Sequence, residues 1–267
     1  MKKTRQEDYE EIIISHRKIE EINLQPFIAA KELVKDFEIG DYIVRAVDHL
    51  SIEISEHEYV AIIGSSGAGK TTLVHILGGL ETATKGDTFI SHINVSHMEQ
   101  EMLATFRIFN VGIVFQNYNL ISSLTALENI MFPMQLCGVK HEECESRAKE
   151  LLKIIGLAER SEHLPFQLSA GEQQRVAVAR ALANDPPIII ADEPTANLDK
   201  KNAEYIGELF ENFRTEGKTI IVATHDEKLI KHAHRILIME EGKIIEDKRI
   251  NEISFKKENI EIEMEQE

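Results

Sequence analysis

Nine consecutive residues constrain this chain more than any others: Gly64-Ser65-Ser66-Gly67-Ala68-Gly69-Lys70-Thr71-Thr72. They follow a short apolar run, Tyr59 to Ile63, that reads as a buried strand, and they precede Leu73, Ile76 and Leu77 at helical spacing. A strand that stops at a glycine-rich loop and resumes as a helix turns successive backbone N–H groups inward. The helix adds the positive end of its dipole. Such a cradle fits a polyphosphate. Lys70 is placed to reach the β- and γ-phosphates, and the Thr71 hydroxyl is placed to ligate Mg2+. The other reading, a glycine turn that happens to adjoin a lysine, does not account for the strand before it and the helix after it. The segment predicts a nucleoside triphosphate site.

The remaining pattern predicts an α/β fold with a parallel sheet. Apolar strands at Val111–Phe115, Ile188–Ala191 and Thr219–Ala223 alternate with helical stretches, including one near Gly171–Leu182 and one at 200–215. Asp185-Pro186-Pro187 stops the first of these. Between Phe27 and Ile54 the alternation is that of exposed strands, Tyr42–Val47 and Leu50–Ile54. A helical block at about 120–180 interrupts the α/β alternation and reads as an inserted subdomain. Residues 1–26 form a charged extension with one apolar stripe, and 249–267 form an acidic tail; a surface helix or a solvated end suffices for either.

Charge and cysteine content narrow the partners. Thirty basic against 46 acidic residues leave a net charge of −16, which repels nucleic acid. Cys137 and Cys144 are too few for a disulfide framework. No stretch approaches the roughly 18 apolar residues that cross a bilayer, and Glu7, Asp8, Glu10 and Glu11 stand where a signal peptide would be apolar. The chain is expected to be soluble and cytoplasmic, so any work at a membrane needs a partner.

Further candidates sit at strand and helix ends. Asp192 and Glu193 end the strand Ile188–Ala191, at the sheet edge where ligands of parallel sheets bind. Asp192 is suited to the Mg2+ shell, and Glu193, pointing another way, to orienting or deprotonating a water. Gln116 follows the strand Val111–Phe115, His225 ends Val222-Ala223-Thr224-His225, and Leu168-Ser169-Ala170-Gly171-Glu172 opens a helix whose N-terminus could bind an anion. Each has a plainer reading: a polar strand end, a strand-end histidine, an N-cap serine.

Taken in order, these segments resemble the nucleotide-binding subunits of ABC transporters, over Phe27 to Lys248. The family motifs correspond to Walker A at Gly64–Thr72, the Q-loop at Gln116, the signature at Leu168–Glu172, Walker B at Ile188–Glu193, the D-loop at Ala196–Asp199 and the switch histidine at His225. The resemblance implies a P-loop ATPase of ABC type: a mixed, mainly parallel core, an antiparallel β subdomain and the helical insert. It implies ATP and Mg2+ as ligands and ATP hydrolysis as the activity, with Glu193 as general base, His225 at the γ-phosphate, and Gln116 binding Mg2+ or water. Thr71 and Asp192 would complete the metal shell.

The loop residues Gly64, Ser65, Ser66, Gly67, Ala68, Gly69, Lys70, Thr71 and Thr72 would hold the phosphates, with Phe37 stacking on adenine unless it is a core residue. Ser169, Gly171 and Glu172 would close on the ATP of a second subunit, giving a head-to-tail homodimer or a pair with a related chain. An integral-membrane permease would hold this pair at the inner face of the membrane.

Two signature positions depart from the commonest family pattern: Ala170 replaces the first glycine and Glu172 a glutamine. Val114–Leu120 with Leu124–Ile130 resembles the branch of lipoprotein-releasing, macrolide-exporting and antimicrobial-peptide-resistance ATPases, which drive export, extraction or mechanotransmission. The cell-division ATPase is a near relative, so a non-transport or regulatory role is the alternative. A chromosome-type member would need a coiled coil between Gln116 and Leu168, which are only 52 positions apart. Spacing would put Cys137, His141 and Cys144 on one helix face, but Gly138 interrupts it and a fourth metal ligand is lacking.

Overall fold

The computed structural model describes residues 27–40 and 42–250. The expectations for 1–26 and for 251 onward lie outside the described residues. Strands β1 (Ile28–Ile39), β2 (Tyr42–Ile54), β4 (Lys85–Ile90) and β5 (Ile93–Asn94) form one antiparallel sheet in the order β2-β1-β4-β5. The second sheet contains β3 (Tyr59–Ile63), β6 (Val111–Val114), β7 (Ile188–Asp192), β8 (Thr219–Ala223), β9 (Arg235–Glu240) and β10 (Lys243–Arg249). Its order is β10-β9-β3-β8-β7-β6, with all pairings parallel except β9 with β10. The helices are α1 (Lys70–Leu77), α2 (Gln100–Asn110), α3 (Ala126–Leu136), α4 (His141–Ile154), α5 (Ala170–Ala181), α6 (Lys200–Thr215) and α7 (Glu227–Ile230).

The central strands read as unbroken apolar runs because both their faces are covered. Their side chains alternate between two cores. Ala61, Ile189, Ala191, Ile220 and Val222 face a cluster completed by α3, α4, α5 and α6. Val60, Ile62, Ile188, Ile190 and Ile221 face the other, shared with α1, α2 and the antiparallel sheet. The helical insert is therefore built onto the sheet rather than hung from it.

Local chemistry explains its entry. Thr125 caps α3 in a reciprocal box with Glu128. Fully buried Asn129 donates to the carbonyls of Ile121, Leu124 and Thr125 and accepts from the Ile121 amide. The Leu124–Ile130 segment that marks the branch thus ties the incoming loop to α3.

Two expectations change, and the break expected at Gly138 is in place. The strands read at 42–47 and 50–54 are one continuous strand, β2, bent by register shifts against β1. The acidic tail does not begin at 249, because Arg249 still pairs with Arg235 and the Ile250 amide donates to the His234 carbonyl. Cys137, His141 and Cys144 do not share a helix. Cys137 ends α3, Gly138 turns the chain at φ +78°, and His141 starts α4. The buried Cys144 thiol points at the Val139 carbonyl, and no metal-binding group of His, Cys, Asp and Glu occurs among the described residues.

Candidate nucleotide-binding site

The candidate residues gather at the carboxyl ends of the parallel strands, where an α/β sheet opens a crevice. β3 delivers the loop 64–69, β6 delivers Gln116, β7 ends in Asp192 and Glu193, and β8 leads to His225. A cavity of about 580 Å3 is lined by Gly64–Thr72, Ala46, Gln116, Glu193, Ala196 and His225. Sequence reasoning missed Ala46, which lines the cavity and whose carbonyl packs so closely on Gly69 that any side chain at Gly69 would collide with it. Gly69 also takes φ +97° as N-cap of α1 and supplies no capping side chain, so the first-turn N–H groups of α1 are left for a ligand. Lys70 Nζ donates to the carbonyls of Gly64 (2.7 Å) and Ser65 (3.0 Å), which holds the ammonium over the mouth of the loop.

Below the loop, Thr71 Oγ1 donates to Asp192 Oδ1 at 3.0 Å. His75 Nε2 lies 3.8 Å from the other carboxylate oxygen. The signal for His75 was in the sequence, since Thr71 and His75 are four apart on one helix and face the same way. Burial pushes the Asp192 carboxyl above the usual carboxylate range, against the opposing effect of the Thr71 hydrogen bond. Thr71, Asp192 and Gln116 offer oxygen donors of the kind Mg2+ prefers, beside a phosphate cradle. The donor set fits the ion.

A sign follows for the metal-free protein. An acid with a raised folded-state pKa costs stability once ionised, and the cost vanishes below its unfolded value of about 3.9. In EDTA at pH 7–8, Asp192→Asn is expected to melt higher than the parent, with the gain shrinking as pH falls toward about 4 and absent below it. Calorimetry across that range checks it; a lower melting temperature at neutral pH would reverse the assigned sign.

Glu193 adopts φ +42°, a left-handed backbone that an L side chain takes only when its surroundings hold it there. Its amide donates to the Ala223 carbonyl at 2.8 Å, which locks the turn onto β8. The carboxylate then meets His225, whose Nδ1 is 3.1 Å from Oε1 and 3.0 Å from Oε2. The Asp192 and Glu193 carboxylates consequently meet different partners, Thr71 and His225.

Gln116 is held through its main chain: Asn197 Nδ2 donates to its carbonyl at 3.3 Å. Beyond it, Tyr118 and Asn119 take φ +59° and +50°, and the Arg180 guanidinium at the end of α5 donates to both their carbonyls. Arg180 carried no readable signal, and Asn197, although it lies in the Ala196–Asp199 segment, gave no sign of this contact, because main-chain acceptors leave no trace in sequence.

The other predicted residues lie elsewhere. Ser169, Gly171 and Glu172 open α5 and do not line the cavity. Ser169 caps the helix in a reciprocal box with Glu172, and Gly171 sits so close to the Asn202 side chain that a methyl there would overlap it. Phe37 also lies outside the cavity lining; it is half-buried on β1, opposite Val44, with Lys35 Nζ 4.9 Å from its ring centroid.

Comparison with known proteins agrees with this geometry. Residues 47–196 match the family model described as ABC transporter. An ABC transporter ATP-binding protein of Thermotoga maritima is 50% identical over 210 residues, covering 79% of this chain and 90% of that protein. The macrolide export ATP-binding/permease protein MacB of Bradyrhizobium diazoefficiens is 41% identical over 84% of this chain, which spans only 34% of that longer protein. A dimeric structure of the cassette MJ0796, in a post-hydrolysis state bound to ADP and Pi, superposes with a TM-score of 0.80 at 38% identity, covering 84% of this chain and 99% of that one. Together with the phosphate cradle and the Glu193–His225 pair, these matches establish that the chain belongs to the ABC transporter family, as one of its ATP-hydrolysing cassettes.

Proposed function

We propose that this cassette works as one half of a head-to-tail pair that closes on two ATP molecules and drives a separate membrane permease. The observation that carries the proposal is the division of the site. The cradle, Gln116, Glu193 and His225 line one cavity, with Asp192 bonded to Thr71 at its floor, while Ser169, Gly171 and Glu172 open a helix that does not line it. A second copy would bring its α5 N-terminus to the open side of this cavity.

In this reading the α1 N-terminus and Lys70 bind the phosphates, and Thr71, Asp192 and Gln116 hold Mg2+, which when bound neutralises charge on the β- and γ-phosphates. Glu193 takes the proton of the attacking water. His225 keeps that carboxylate aimed, and its exposed ring is free to reach the terminal phosphate. Phe37, on the strand whose partner β2 carries Ala46, supports stacking on the adenine. A metal-free nucleotide switch with no turnover would have little use for a carboxylate held in a left-handed turn.

The permease contact is supported by a second cavity, of about 370 Å3, between α2, β6, α3 and α5. It is walled by Ile108, Ile113, Phe115 and Pro133 and reaches Asn119, three residues past Gln116. A short helix of a permease seated there would touch the segment that leads to the nucleotide. The Leu124–Ile130 segment and the likeness to MacB support the export or extraction branch; among the described residues no helix is long and apolar enough to cross a membrane.

Sizing tests the pairing. The Glu193→Gln protein at micromolar concentration is expected to run as a dimer with Mg2+ and ATP and as a monomer without nucleotide. A monomer under both conditions would overturn the paired arrangement.

A further inference from the structure

The α5 N-terminus carries an anion of its own. Glu172 Oε2 accepts from both the amide and the hydroxyl of Ser169, each at 2.8 Å. The Ser169 proton is thus committed to a carboxylate on the same helical turn. Left uncompensated, that charge would oppose an approaching phosphate.

A cation meets it. Arg160, in the short 3-10 turn before the signature, places Nε 3.5 Å from Glu172 Oε1. The turn is not loose: the amides of Leu127 and Ala126 donate to the carbonyls of Ser161 and His163, which fastens it to the start of α3. Arg160 Nη1 also lies 3.1 Å from His163 Nε2. The other nearby cation, Arg175, has its guanidinium stacked 5.1 Å from the Tyr205 ring centroid.

We infer that Arg160 is a positioning residue for the signature: by drawing Glu172 through Oε1 and offsetting its charge, it lets Ser169 receive the terminal phosphate held by a second subunit. The inference rests on the paired reading proposed above. It gives Glu172 a cost as well as a capping role, and makes a residue outside every motif responsible for relieving that cost.

The test uses the Glu193→Gln protein as parent and measures the ATP concentration that gives half-maximal dimer by light scattering, with ADP binding to the monomer measured beside it. Arg160→Gln in that parent is expected to raise the half-maximal ATP concentration about tenfold and to leave ADP affinity unchanged, because Arg160 lies outside the phosphate cavity. Adding Glu172→Gln, which removes the opposing charge, is expected to restore pairing to within about twofold of the parent. Arg160→Lys, which keeps the charge, is expected to pair near the parent concentration and serves if the glutamine variant does not fold.

An unchanged ATP requirement in Arg160→Gln overturns the inference, as does a loss that Glu172→Gln fails to relieve. A parent that stays monomeric with ATP overturns the paired reading, and this inference with it.

Discussion

Glu193→Gln will lower ATP turnover by at least about 10²-fold, the usual contribution of a general base, and will leave ATP binding intact. Glutamine keeps the length of the side chain, and its carbonyl oxygen can still accept from His225 Nδ1, so the left-handed turn and its bond to Ala223 have no reason to move. What disappears is the capacity to take a proton. Steady-state phosphate release and equilibrium nucleotide titration separate the two effects. Turnover at the parent rate would show that Glu193 has been given the wrong task, and lost binding would show that it holds the fold rather than the water.

Lys70→Ala will weaken ATP binding by about 10²-fold or more, because an ammonium aimed at two phosphates is removed from a site that contributes little other charge. The nucleotide-free protein should barely notice. Among the described residues Lys70 Nζ bonds the Gly64 and Ser65 carbonyls at the rim of an open cavity, and water can replace it at a cost of under about 1 kcal/mol. Titration with a fluorescent ATP analogue, alongside melting without nucleotide, distinguishes a lost ligand contact from a damaged loop. Retained affinity would sink the assignment of the loop as a phosphate cradle.

The parts legible in the sequence were those in which a side chain or a glycine performs the task itself. Gly64–Thr72, Asp192 and Glu193 lie where strand-end reasoning puts them, and the alternating cores follow from the apolar runs of β3, β7 and β8. Less legible were parts made by tertiary contact. The helix α2 and the strand β10 were not read, their patterns being mixed by one-sided burial, and β9 was not read although Ile236–Met239 is an apolar run that feeds both cores. Ala46 lines the cavity and crowds Gly69 with its carbonyl, which no side-chain pattern reveals. Arg180 and Asn197 act on main-chain oxygens, which name no partner in the sequence even for Asn197 within Ala196–Asp199, and Arg160, outside every motif, acts on a carboxylate twelve residues away.

α5 is a twelve-residue rod, about 18 Å long. Its last turn grips the Tyr118 and Asn119 carbonyls through Arg180, and its first turn presents Ser169. In the paired arrangement, the near end of this lever answers to the nucleotide in its own pocket, and the far end leans on the neighbour's. Each subunit would then sense the other's fuel mechanically, through one stiff member and without any flexible relay, and the two pockets would not fill or empty as strangers.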